Sequence, residues 1–147
     1  VFMVMMDCPQ HTFQILTRRI DRVVNMDLPW PKNVWMGVTV PTSDEMALVL
    51  TLRETPAKVR LVSSEPLLDR ITPTVLPYLG KGIDWIIVGG ESGAKARPMD
   101  TWWVHDLYHR CKQYKIPFFF KQWGKNLSLI GAASLILNPP KNLKGRS

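Results

Sequence analysis

At 147 residues, with 46% hydrophobic and 21% charged side chains, the chain has the size of one domain and enough apolar content for a buried core. Its longest apolar stretch, Leu127 to Leu137, is too short for a bilayer and is broken by Ser128, Gly131 and Ser134, and the opening VFMVMMDCP has neither a basic flank nor a small-residue cleavage site. A membrane helix and a secretory leader are thereby set aside, and the expected setting is cytoplasmic, with no membrane partner.

In chain order, Val1 to Met6 reads as the end of a helix. Thr12 to Thr17 (TFQILT) then has strand character, and Arg18 to Met26 places Ile20, Val23 and Val24 on one helical face. Val34 to Val40 (VWMGVTV) is the second strand. Ser43 to Glu54 follows as a helix with Asp44 and Glu45 in its first turn, which complements the helix dipole. Val59 to Ser63 is the third strand, and Thr72 to Leu79 a weaker helix carrying two prolines. Asp84 to Val88 is the fourth strand, apolar on both faces as if helices covered it from each side. Asp100 to Tyr114 reads as a helix with Asp100 as N-cap and Trp103, Val104, Leu107 and Cys111 at helical spacing, and Pro117 to Lys121 is a fifth strand. Strands alternating with helices predict an α/β fold with a parallel sheet. Five strands at this length would make an incomplete TIM-like barrel, since a full eightfold one needs about 250 residues.

Parallel strands bring their carboxyl ends to one rim, where such folds bind ligands. Here those ends read LTRR, GVTV, SSEP, GGES and FKQW. Arg18, Arg19, Thr39, Ser63, Glu65, Glu91, Ser92, Lys121 and Gln122 therefore form the candidate site. Glu65 and Glu91 end consecutive strands, which suits an acid and base pair or a grip on an amine or cation. Lys121 follows three phenylalanines, which predicts a partly buried ammonium needing a carboxylate partner. Gly89 and Gly90 would admit the close approach of a ligand, although a tight turn uses glycine equally well. Lys95 and Arg97, in the next loop, suit a phosphate or carboxylate.

Cys8 and Cys111 share no ligand-like spacing with each other or with the three histidines, so no metal site is expected. His105 and His109, four apart on a helix, read as surface residues. The net charge of +7 is uneven: up to Asp106 there are 11 basic and 12 acidic residues, and all eight later charges are basic. Lys141 to Arg146, after Pro139 and Pro140, reads as a solvated, poorly ordered tail, and the expected division is residues 1–124 for the barrel and 125–147 for the tail. The basic excess admits nucleic acid as a partner.

As an ordered set, HTFQILTRR, NVWMGVTV, RLVSSEPLL, IDWIIVGGESG, ARPMD and PFFFKQWG resemble a phage- and prophage-associated family of radical-SAM-like proteins that carries a three-cysteine motif. The resemblance runs from His11 to Gly124; the segment after Gly124 departs from what the family leads one to expect. It implies a partial β/α barrel in which a loop of clustered cysteines holds a [4Fe–4S] cluster and S-adenosylmethionine, with a reaction not assigned. The matching positions are Thr17 and Arg19, Ser63, Glu65 and Pro66, Gly89 to Gly93, Arg97 to Asp100, and Lys121 to Gly124. On that basis Glu65, Glu91 and Lys121 would be catalytic, and Thr17, Arg19, Thr39, Ser63, Gly89, Gly90, Ser92, Arg97 and Gln122 would bind the cofactor. Arg18 stands where the family tends to have lysine, and Ser64 where it tends to have cysteine or a small residue.

Two separated cysteines cannot supply the thiolates of such a cluster, so no cofactor is expected in this chain alone. It reads as the C-terminal portion of a barrel whose partner is the remaining N-terminal portion or another subunit. The competing readings are a non-catalytic basic α/β module that binds nucleic acid, and an inactive remnant.

Overall fold

The apolar runs become strands in the computed structural model, which describes residues 1–72 and 82–124. The strands are β1 (Phe13–Thr17), β2 (Val34–Thr39), β3 (Val59–Ser64), β4 (Trp85–Gly89) and β5 (Phe118–Gln122). All neighbours pair in parallel, and the order across the sheet is the order in sequence. There is no reversal of direction across the sheet, so no topological switch point of the doubly wound kind is present among the described strands. The sheet is open: β1 and β5 are its edges, and they do not pair with each other.

The helices are α1 (Phe2–Asp7), α2 (Ile20–Val24), α3 (Ala47–Arg53) and α4 (Thr101–Gln113), with a 3-10 turn over Ser43–Met46 leading into α3. The helix expected over Arg18 to Met26 is shorter than its apolar pattern. The Thr17 hydroxyl accepts from the Arg19 N–H at 2.9 Å, which holds the chain in a turn until Ile20. The helix expected from Ser43 begins instead as the tighter turn. There the Ser43 N–H donates to Asp69 at 3.0 Å and the Ser43 hydroxyl to the Arg70 carbonyl at 2.7 Å, pulling the segment toward the chain after β3. Asp100 caps α4 as expected, its carboxylate accepting from the Trp102 N–H at 2.8 Å. The helix expected over Thr72 to Leu79 and the basic tail fall outside the described residues, apart from Thr72.

The core lies on one face of the sheet. Val38, Val62, Ile86 and Phe118, which are partners in register across four strands, are buried together with Ile20 of α2, Val49 and Leu52 of α3, and Val104, Leu107 and Cys111 of α4. Alternate residues face the other way, as the pleat requires. There Trp85 meets Trp35 and Phe119 edge to face, with ring centroids 6.1 and 6.3 Å apart, and Leu61 is fully buried. Gly37 sits on this face because a Cβ would lie 2.6 Å from Leu61 Cδ1. The described helices do not cover β4 from both sides, contrary to the expectation from its apolar run: Ile86 and Val88 belong to the core that holds the helices, while Trp85 packs on Trp35 and Phe119 of other strands.

Asn33 fastens α1 to the start of β2. Its side-chain amide donates to the carbonyls of Met5, Cys8 and His11 at 2.9, 3.1 and 3.0 Å. The helix itself buries no residue, and Val1, Met3, Val4 and Met6 are exposed.

Candidate ligand-binding rim

Because the strands are parallel and adjacent in sequence order, Thr17, Thr39, Ser64, Gly89 and Gln122 end at one rim. Thr39 stands opposite Ser63 in register, and Ser63 opposite Ile87. Ser63 and Ser64 are buried, whereas Arg18, Arg19, Ser92, Arg97, Lys121 and Gln122 are exposed.

Glu65 lies over the ends of β3, β4 and β5. A cis peptide joins it to Pro66, and the Leu67 N–H donates to the Gly89 carbonyl at 2.9 Å. One carboxylate oxygen accepts from the Ser63 hydroxyl at 3.1 Å, and the other pairs with Lys121 Nζ at 3.1 Å. Gly89 provides the space, since a Cβ there would come within 3.0 Å of Glu65 Oε1. Lys121 thus has the carboxylate partner its position demanded. It is not partly buried, however: 56% of its side chain is exposed, because it alternates away from Phe118 and Phe120, which pack toward the helices.

Glu91 has a different partner. Arg97 holds it in a fork, Nη2 to Oε1 at 2.6 Å and Nε to Oε2 at 2.8 Å, and the Arg97 backbone N–H adds a third bond at 2.7 Å. Those hydrogen bonds pull the Glu91 pKa down from 4.5 to about 2, and the same pairing raises that of Arg97. A carboxylate so held is ionised throughout the physiological range and has no proton to give. The two glutamates expected to converge are therefore each neutralised by a separate cation, and Glu91 closes its own loop from Ser92 to Ala96.

The approach that Gly90 permits is made by the protein's own backbone. A Cβ at Gly90 would stand 1.9 Å from the Trp123 carbonyl oxygen, and one at Gly124, where φ is +84°, would stand 2.5 Å from the Glu91 carbonyl oxygen. The chain leaving β5 crosses that leaving β4 at this point. Gln122 locks the crossing, its amide donating to the Ser92 hydroxyl at 2.7 Å and to the Gly90 carbonyl at 3.4 Å. Sequence reasoning marked Gly124 only as a position shared with the resembled family and did not foresee its part in this crossing. It also missed Glu45, taken as a helix-dipole residue, which pairs with Arg18 at 2.7 Å across the rim. Arg19 pairs with no carboxylate among the described residues.

The thiols do not fit an iron–sulfur cluster. Cys8 ends α1, while Cys111 is in the core of α4, where burial pushes its pKa up to about 12 and keeps it protonated. The rings of His105 and His109 stack with centroids 6.5 Å apart, and among the described residues no group of three or more His, Cys, Asp or Glu side chains is placed to hold a metal.

A family model described as "Protein of unknown function (DUF5131)" matches residues 1–137, most of the chain. The chain belongs to this family. The match takes in α1 and continues beyond Gly124 to residue 137. No curated protein and no solved structure matches the chain.

Proposed function

We propose that the chain is the rim-bearing part of an incomplete β/α barrel of the radical-SAM-like kind, and that its strand ends bind a polar small molecule of the S-adenosylmethionine type. The observation that carries this reading is the singly wound parallel order of β1 to β5, which gathers five polar strand ends on one edge. In this reading Glu65, Lys121 and Ser63 form the part of the rim that meets the ligand, since Lys121 keeps ammonium donors to spare beyond its single carboxylate contact. Glu91 and Arg97 set the shape of the neighbouring loop. Gln122 and Ser92 hold that loop against β5.

The iron–sulfur chemistry of such proteins would have to come from thiolates outside this chain's two cysteines. The partner is then the remainder of a barrel, packed against the open β1 edge and the uncovered face of α1. The reaction of the whole assembly is that of a phage-associated protein acting in the cytoplasm.

The test is titration of the isotope-labelled 147-residue chain with S-adenosylmethionine, read by amide chemical shifts. Shifts confined to Thr39, Ser63, Gly89 to Ser92 and Gln122, and weakened in Glu65→Gln and Lys121→Gln, are expected. Unchanged spectra at millimolar ligand, or shifts located away from the rim, would sink the reading.

A further inference from the structure

The rim's ion pairs share an asymmetry. In Arg18 with Glu45, Arg97 with Glu91, and Lys121 with Glu65, the cation is 64, 59 and 56% exposed and its carboxylate only 26, 26 and 21%. The pairs that Asp106 makes show the same order less strongly, with Arg70 and Arg110 only 37 and 23% exposed over a carboxylate at 15%. At the rim the carboxylates lie beneath and the cations stand above them, oriented but not covered. Arg19, exposed and without a carboxylate among the described residues, adds a fourth cation, and Lys95 a fifth. Against them stand Asp21 and Asp44 as exposed acids, while Asp100 is occupied in capping α4.

The donors left over are suited to phosphate. Arg18 uses only Nη2 toward Glu45, Arg97 keeps Nη1, and Lys121 makes one contact where an ammonium can make three. Their spread bears on the ligand. Arg18 and Arg19 follow β1 and Lys121 lies in β5, four strand spacings away, which is roughly 19 Å along the sheet before curvature shortens it. A single phosphate cannot bridge that distance, whereas an extended chain of phosphodiesters can. We infer that the rim binds the backbone of a single-stranded nucleic acid, laid across the strand ends from Arg18 and Arg19 to Lys121. This rests on the reading of the rim as a ligand-binding surface and names a second, polymeric ligand for it.

The experiment is fluorescence anisotropy with a fluorescein-labelled single-stranded 12-mer, as DNA and as RNA, over a range of salt concentrations. The proteins compared are the full chain and its Arg18→Gln, Arg19→Gln and Lys121→Gln variants. Lys58→Gln serves as control, because Lys58 is exposed just before β3, at the opposite end of the strands. Each rim variant should weaken binding at low salt and lower the slope of log K against log salt by about 0.7, the value for one phosphate contact on a single strand. The control should do neither. Arg19→Gln breaks no ion pair among the described residues and so keeps the test meaningful if another variant is unstable. Absence of binding, or slopes that the rim variants leave unchanged, overturns the inference. Inorganic phosphate shifting the rim amides while the 12-mer fails to bind overturns it too. If S-adenosylmethionine still shifts the rim amides in that case, the small-molecule reading stands without it.

Discussion

At the scale of single residues, the rim is governed by which carboxylate meets which cation. Glu91 was readable as a rim residue from its place after two glycines, but its partner was not, because nothing in the spacing of Glu91 and Arg97 marks a fork that closes its own loop. The consequence is measurable. With a folded pKa of about 2 against an ordinary value of 4.5, the pair contributes stability that is fully present above about pH 4.5 and is lost as pH falls through about 2. Solvent screens the pair, so the effect belongs to the acid limb and leaves neutral stability little changed. In Arg97→Ala the Glu91 carboxyl should titrate near its ordinary value, and the stability of the variant should fall less steeply than wild type between pH 4.5 and 2. Side-chain carboxyl shifts followed by NMR, with thermal melts at each pH, check both. A Glu91 titration unmoved by the substitution would show that the fork does not set its charge.

At the scale of elements, the crossing of the β4 and β5 exits is the most constrained point. Gly90→Ala would drive a methyl carbon to 1.9 Å from the Trp123 carbonyl oxygen, and backbone on both sides leaves nothing soft to yield. The loss should equal or exceed the roughly 1–3 kcal/mol typical of overpacking. Gly93→Ala is the useful contrast. Its φ of +114° makes alanine strained, but no atom lies within 4 Å of the added carbon, so it should cost about 1–3 kcal/mol through backbone strain alone and leave the Gln122 to Ser92 latch intact. Chemical denaturation of both variants decides the ranking: Gly90→Ala should lose clearly more than Gly93→Ala, and a loss no larger than that of Gly93→Ala would mean that the crossing yields to the added methyl. The same elements show why sequence reading located the strands better than the helices. β-branched and aromatic runs such as FQILT and WIIV have no competing partner. The starts of α2 and α3 are decided by Thr17 and Ser43, whose hydroxyls and N–H groups bond locally or across to the chain after β3.

At the scale of the whole molecule, alternating apolar strands and helices were sufficient to give a parallel α/β sheet, but not its closure or the covering of its two faces. Those depend on what pairs with β1 and β5, and no periodicity within a strand carries that information. The β1 edge shows what an open sheet entails. Its sequence, FQILT, has no charge and no proline, and its residue Leu16 is 48% exposed; elsewhere α1 leaves Val4 and Met6 uncovered, and its Met3 joins Val1, Phe2, Val23, Met26, Leu28 and Pro29 in lining an apolar cavity of about 440 Å³. An uncharged edge presenting free N–H and C=O groups is a template for pairing with another strand, and natural edges are commonly protected by an inward or outward lysine. The isolated chain should therefore self-associate in the micromolar range. Leu16→Lys, which places an ammonium on that edge at an already exposed position, should shift it toward monomer with little loss of stability. Sedimentation velocity on the two proteins across a concentration series, with thermal melts as the check on folding, gives the answer. A wild-type chain that stays monomeric throughout, or a variant that associates as strongly as wild type, would mean that the β1 edge is not the surface through which this molecule seeks a partner.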